Sequence, residues 1–340
     1  MASLIALVSS PFSRAFFIPA IVSSFICAVV GYYAGWVALA TVLLLVVLEV
    51  TLSFDNAVVN AKVLEEMSPR WRRRFLTWGI LIAVFLTRAL LPIIIVSLSV
   101  LATPWEVARI ALQDPVRYAA MLDGAGYIIG AFGAMFLTLA GLRYFIDDEK
   151  QTHWIPGVER YLASWGSVEA IEIVVALCIL EGIAIAIPPH RAEILIAGIA
   201  GIALFALVQG IAHAFSREAA GKHAASGLAL FIYLNLLDAA FSLDSVVGAF
   251  ALSKELVIIV IGLGIGAYFV RTLTIYMVDH GTLGDLLYLE HGAHWAILGL
   301  AAAMLTNLFM HIPDPITGFI GLLFVGAAYI SSIRLIGMKA

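Results

Sequence analysis

Seven carboxylates stand in runs of sequence that are otherwise almost wholly apolar: Glu49, Asp55, Glu169, Glu172, Glu181, Asp238 and Asp244. Two arginines, Arg88 and Arg271, lie in similar surroundings. In a helix crossing a bilayer each such charge costs about 2.5–3.5 kcal/mol at mid-span, so ionisable groups there are functional candidates by default. The sign of the set matters. A surplus of carboxylate attracts cations or holds protons, and repels oxyanions. The neighbouring donors are oxygen: the Asn56 amide and the hydroxyls of Ser53, Ser242 and Ser245. Hard oxygen ligands suit Mg²⁺, Ca²⁺ and Mn²⁺, whereas Zn²⁺ and Cu⁺ favour His, Cys or Met. Mn²⁺, Ca²⁺ and Mg²⁺ all fit this donor set.

Spacing constrains the geometry. Glu49, Ser53 and Asn56 share one helix face, as do Asp238, Ser242 and Ser245. Asp55 and Asp244 stand about 120° away around a regular helix. They join the same site only if the helix breaks. Ser53-Phe54-Asp55-Asn56 and Ser242-Leu243-Asp244-Ser245 are plausible break points, because Ser, Asp and Asn compete for backbone hydrogen bonds. Pro92 removes the hydrogen bond to the Arg88 carbonyl, so a kink is expected there. Each arginine is expected to pair with a repeat acid, Asp55 or Asp244. The pair is either a static bridge or one that re-forms when a cation arrives. Glu169 and Glu172 share a face and read either as second-site or entry ligands or as an interfacial acidic face. Glu181 reads as a proton relay or a buried hydrogen bond between helices.

These residues need membrane helices to hold them. Of 340 residues, 63% are hydrophobic and 12% charged, against roughly 25% charged in soluble domains. Soluble enzymes, nucleic-acid binders and disordered scaffolds are excluded. Ten spans are expected, at 16–34, 36–59, 75–100, 124–146, 168–188, 192–212, 227–251, 256–278, 294–311 and 316–335. The charged segment 103–122 reads as an interfacial helix. A short apolar stretch precedes the first positive charge, Arg14, the wrong order for a cleaved signal peptide, and the apolar run that follows is expected to be a retained helix. With the N-terminus inside, the cytoplasmic side collects Arg14, Lys62, Arg70, Arg72, Arg73, Arg74, Arg143, Lys150, Arg160, Arg217, Lys222, Arg334 and Lys339. The other side holds Arg109, Arg117, Arg191 and Lys254. That asymmetry sets a multi-pass orientation in the cell membrane with both termini cytoplasmic.

The chain repeats itself. Leu48-Glu49-Val50-Thr51-Leu52-Ser53-Phe54-Asp55-Asn56 aligns with Leu237-Asp238-Ala239-Ala240-Phe241-Ser242-Leu243-Asp244-Ser245. The following helices align too, Thr87-Arg88-Ala89-Leu90 with Val270-Arg271-Thr272-Leu273. The copies lie five spans apart, and an odd separation reverses direction. Inverted three-helix repeats are expected, 36–146 against 227–311, within one transmembrane domain of 1–340. The expected fold class is an all-α polytopic bundle, laid out as in many secondary transporters.

Other signals read as structural. Gly262, Gly264 and Gly266, like Gly126 and Gly130, suit close helix packing. Cys27 and Cys178 form neither a CxxC motif nor a disulfide framework. Segment 279–294, with Asp279, His280, Asp285, Glu290, His291 and His294, is expected to be a solvated loop rather than a metal collector. There is no GxxxxGK[ST], HExxH or GxSxG, so no ATP motor and no hydrolytic constellation.

The stretches Leu48-Glu49-x-x-Leu52-x-x-Asp55-Asn56 and Asp238-x-x-Phe241-Ser242-x-Asp244-Ser245, with Arg88 and Arg271, resemble the two signatures of the TerC family of integral membrane proteins. The resemblance implies kinship with LysE-type transporters, inverted repeats and a role in metal-ion homeostasis, with Mn²⁺ export the implied activity. Two positions depart from that pattern: Asn235 stands where an acid is usual, and Val247 near a usual proline. Taken together, the expectation is a secondary transporter exporting a hard divalent cation, foremost Mn²⁺, coupled to protons. Its metal ligands would be drawn from Glu49, Ser53, Asp55, Asn56, Glu169, Glu172, Asp238, Ser242, Asp244 and Ser245, with Arg88 and Arg271 as counter-charges. Its partners would be the cation, protons and the lipid bilayer, with no enzyme activity and no resident cofactor. The alternatives are a membrane-embedded stress-response scaffold with structural ion pairs, a Ca²⁺/H⁺ exchanger, and an intramembrane metal-dependent enzyme.

Overall fold

The computed structural model describes residues 11–147, 150–218, 223–253, 255–281, 286–310, 312 and 314–339. The side chains of Asp55 and Asp244 lie outside the described residues. Among the described residues the chain is all helix and turn, with no strand.

The helices follow the apolar runs. They are α1 (Pro11–Tyr33), α2 (Gly35–Leu52), α3 (Phe54–Glu65), α4 (Pro69–Leu81), a π-helical segment (Ile82–Leu90), α5 (Leu91–Ser99), α6 (Pro104–Gln113), α7 (Pro115–Gly124) and α8 (Gly126–Phe145). After them come α9 (Pro156–Ala163), α10 (Ile171–Ala186), α11 (Arg191–Glu218), α12 (His223–Leu252), α13 (Leu256–Asp279), α14 (Leu289–Asn307) and α15 (Asp314–Lys339). Among the described residues, six stretches are long and apolar enough to cross a membrane by length and composition: Ser13–Tyr33, Gly35–Leu52, Pro69–Ser99, Gly126–Phe145, Pro188–Leu207 and Leu256–Asp279. Within the described residues, the helices at the other four segments expected to span fall short of that measure. At 16 residues α10 rises about 24 Å, against a hydrocarbon core of about 30 Å. The apolar parts of α12 and α15 are limited to Gly227–Ala239 and Phe319–Leu335 among the described residues.

Segment 103–122 is two helices rather than one. Thr103 caps α6 with a full capping box to Glu106, and Asp114 caps α7 by accepting from the Arg117 N–H at 3.1 Å. Pro115 at the first helical position makes the restart. Both helices bury an apolar stripe, including Val107, Ala111, Tyr118 and Leu122.

Two apolar cores fill the bundle. One gathers Val58, Leu64, Phe136, Leu139, Leu234, Leu237, Phe241, Met277, Ile297 and Leu300. The other gathers Val42, Leu45, Tyr118, Leu122, Val246, Ala249, Ile259 and Leu263. Among the described residues, five helical runs pass from one core to the other, among them α4–α5 between Phe75 and Ile93 and α8 between Ile129 and Ala131. The α2–α3 run changes core between Leu45 and Val58, α12 between Phe241 and Val246, and α13 between Ile265 and Met277. The polar motifs fall at those crossings, so the charged residues occupy the seam between the two cores.

Candidate functional site

The seam is built from four helical runs. On the first, the helix stops at Leu52 and restarts at Phe54, with Ser53 between them at φ −103° and ψ 12°. Ser53 donates its hydroxyl to Glu49 Oε1 at 3.0 Å. A helical serine normally returns its hydroxyl to a carbonyl one turn back. Ser242 and Ser245 do so, reaching the carbonyls of Asp238 at 2.6 Å and of Ser242 at 3.0 Å. That difference accompanies the difference in backbone: α12 runs unbroken through Ser242–Ser245, so only the first of the two expected breaks occurs.

The π-helical segment Ile82–Leu90 carries Arg88 and ends just before Pro92. The expected disruption at Pro92 thus takes the form of a wider helix. A proline leaves the carbonyl four residues earlier without its usual donor, and π-type pairing shifts donors by one residue.

Arg88 and Arg271 are both almost fully buried, at 1% and 2% exposed. Arg88 donates through one terminal nitrogen to Glu49 Oε1. Its other terminal nitrogen lies 3.9 Å from Asp238 Oδ2 and 2.8 Å from the Ala83 carbonyl. Arg271 donates to Asp238 Oδ2 at 2.9 Å and to the Phe75 carbonyl at 3.2 Å, with its guanidinium 4.2 Å from the centre of the Phe75 ring. Asn56 Nδ2 donates to Asp238 Oδ1 at 3.1 Å. Among the described residues both arginines therefore pair with the first acid of a motif, Glu49 or Asp238; the partners expected from sequence, Asp55 and Asp244, have side chains outside the described residues. The first acids, Glu49 and Asp238, lie on the faces where the helices meet. Arg88 touches acids from both halves of the chain.

Glycines make the approach possible. A Cβ on Gly266 would lie 2.5 Å from the Glu49 Cβ and 3.2 Å from the Val46 carbonyl; one on Gly262 would meet Leu45. Residues four apart on α13 thus seat α2 against it, the packing role expected of this glycine run. Gly130 abuts Leu308 in the same way, whereas Gly126 has nothing within 4 Å. A Cβ on Gly79 would collide with the Arg271 guanidinium. Gly79 had no signal in the sequence that could single it out.

The remaining expected residues go elsewhere. Glu172 pairs with Arg143 at 3.0 Å, on α10, which packs against α8 and α11. Glu169 is exposed, just before the helix begins. The cluster around Arg88 and Arg271 is built without either of them. Glu181 forms an exposed pair with Arg191 at 2.6 Å, so it links α10 to α11 at the surface rather than in a buried position. The excess of negative charge read from the sequence is consequently smaller among the described residues. Glu49 and Asp238 are balanced by two arginines, and Glu172 and Glu181 by one each. Among the described residues no group of three or more His, Cys, Asp or Glu side chains is placed to hold a metal ion.

Segment 279–294 is helical from Leu289 onward, and residues 282–285, including Asp285, lie outside the described residues. The helix places His291 in the interior, where its Nδ1 meets Glu159 Oε2 at 2.8 Å. Glu159 also accepts from the Trp295 indole at 2.9 Å and from the N–H groups of Trp154 and Ile155. Burial raises the Glu159 carboxyl, but these hydrogen bonds outweigh it and hold the group at about 2. Beside it a cavity of about 490 Å³ is lined by Arg143, Lys150, Gln209, Glu290 and His294, among others. Burial lowers Lys150 there to about 8 and raises Glu290.

Asn60, not among the residues expected from the sequence, is 2% exposed. It lies one turn beyond Asn56 on the same face, a spacing visible in the sequence.

Apolar helices around a buried cluster of two acids and two arginines define a helical membrane protein with an ionisable interior. The chain belongs to the family described as "Protein of unknown function (DUF475)", whose model matches residues 54–336. No curated protein and no solved structure matches it.

Proposed function

We propose that this protein is a secondary transporter that exports a hard divalent cation, Mn²⁺ first, in exchange for protons. The carrying observation is the buried cluster in which Glu49 and Asp238, from separate halves of the chain, share Arg88. The ten-span topology with both termini cytoplasmic, and the inverted relation of 36–146 to 227–311, belong to this reading. So does the kinship with TerC-like transporters. The transport site lies in the seam. Glu49 and Asp238 stand ready as ligands behind an arginine lock, and Asp55 and Asp244 bring the further negative charge that a divalent ion needs. An arriving cation takes the place of Arg88 on Glu49, and the carboxylates return to protons when it leaves.

A second reading is a membrane scaffold whose ion pairs only hold helices together. The charge balance of the cluster favours it. Purified protein in vesicles, tested in parallel with Mn²⁺, Ca²⁺, Mg²⁺ and Zn²⁺, separates the two. The transporter moves Mn²⁺ and loses that activity in Asp55→Asn and Asp244→Asn while remaining folded. Absence of flux for every ion, or full flux in both variants, sinks the transport site as drawn.

A further inference from the structure

Four buried oxygens in and beside the seam have no hydrogen-bonding partner among the described residues: Glu49 Oε2, Asn56 Oδ1, Asn60 Oδ1 and Asn235 Oδ1. Their side chains are 0%, 1%, 2% and 8% exposed, respectively. Two of the amides are fixed in orientation by their nitrogens. Asn56 Nδ2 donates to Asp238, and Asn235 Nδ2 donates to the Phe231 carbonyl at 2.7 Å. Their oxygens cannot be exchanged for nitrogens without losing those bonds. Interiors rarely leave acceptors unpaired, and each such group calls for an explanation.

The four are also ordered along the helices. Asn56 of α3 touches Asp238 of α12, and further on Trp71 packs against Phe231 and against Gly227. Trp71 stands at the start of α4, just past the turn at 66–68 that ends α3, so α3 runs towards the start of α12 and the two helices are antiparallel. Asn60 lies four residues past Asn56, and Asn235 three residues before Asp238. Both therefore stand roughly 4–6 Å from the Asn56–Asp238 contact, in the same direction. That direction leads to the turn at 66–68 and to Arg70, Arg72, Arg73 and Arg74.

We propose that Asn60 and Asn235 form a neutral amide-oxygen subsite for a hard divalent cation, one step from the ion-pair cluster towards the arginine-rich end. Amide oxygens are ordinary ligands for Mn²⁺, Mg²⁺ and Ca²⁺. Because they are neutral, they accept a partly dehydrated ion without needing a counter-charge when empty. The carboxylates beyond them need Arg88 and Arg271 for that purpose. The subsite deepens the transport reading and rests on it: an ion would exchange water for amide oxygen before it meets Glu49 and Asp238.

The test uses the full chain in vesicles with Mn²⁺ as the probe. Asn60→Leu and Asn235→Leu keep approximate size and remove the oxygen. Each should raise the KM for Mn²⁺ roughly tenfold, equivalent to about 1.4 kcal/mol, with thermal stability unchanged or improved. Asn60→Asp should lower KM, and it decides the matter if a leucine variant does not fold. Wild-type KM in folded leucine variants, or in Asn60→Asp, overturns the subsite and leaves the amides as partners of buried water. If the wild-type protein moves no divalent cation, the transport reading fails first and the subsite fails with it.

Discussion

Asn56 and Asp238 are 182 residues apart in the chain and 3.1 Å apart in the fold. Their hydrogen bond joins the two halves at the point where each crosses between apolar cores. It also orients Asp238 so that its other oxygen receives Arg271. The arginines thus act on a carboxylate already held in place from across the seam.

Removing Arg88 would leave Glu49 as an uncompensated buried acid. Breaking one partner of a buried pair costs about 3–5 kcal/mol, whereas replacing both is often nearly neutral. Arg88→Gln should lower thermal stability by that amount in detergent, and Arg88→Gln with Glu49→Gln should regain most of it. Additive losses in the double variant would mean that the pair is not coupled as the geometry indicates.

Gly266→Ala should cost about 1–3 kcal/mol, because the new methyl meets the Glu49 Cβ and a backbone carbonyl that cannot swing aside. Gly126→Ala has open space and should be neutral or stabilising by up to about 1 kcal/mol. Thermal unfolding of the two proteins side by side measures the difference. Equal behaviour would contradict the close packing of α13 on α2.

Arg72 and Arg73 are neighbours with different duties. Arg72 donates to the carbonyls of Leu64, Glu65 and Met67 at 2.8, 2.9 and 3.1 Å, closing the end of α3. Charged hydrogen bonds of this kind are worth about 1.5–3 kcal/mol. Arg72→Ala should lose stability on that scale, while exposed Arg73 replaced by alanine should stay within about 0.5 kcal/mol. A reversed order of stabilities would show that the cap is not the stabilising contact.

Glu159 makes acid stability testable. Its carboxyl sits at about 2 in the folded protein against 4.5 ordinarily, because its hydrogen bonds outweigh the opposing effect of burial. The folded state therefore holds fewer protons than the unfolded one between those values. The stability this group contributes, up to about 3 kcal/mol, is complete above pH 4.5 and is lost as pH falls towards 2. Unfolding scans between pH 5 and pH 2 should show that loss, and Glu159→Gln should flatten it. An unchanged slope in the variant would remove Glu159 as its source.

The residues of the seam were legible because charge in an apolar run has no structural excuse of its own. Glu49, Asp238, Arg88 and Arg271 could be listed from the sequence, and their matching order in two segments tied them together. Helix formation followed from apolar composition and from caps such as Thr103 and Asp114. Which of the first acids each arginine would meet was not legible. Asp55 and Asp244 are as close to the arginines in sequence as Glu49 and Asp238 are, and spacing ranks none of them. That choice depends on the rotation of α2 and α12 towards α13. It is set by side chains and glycines far apart in the chain, such as Gly266 against Glu49. The same holds for charge. Composition counts seven carboxylates and two arginines, but Arg143 and Arg191 reach Glu172 and Glu181 only once α8, α10 and α11 have folded against one another. Sequence alone determined the helices, their apolar surfaces and the buried ionisable groups, because these depend on residue type and local period. Tertiary structure alone decided the pairing, the break at Ser53 but not at Ser242, and the unpaired oxygens of Asn60 and Asn235. Those depend on which surfaces of distant helices meet.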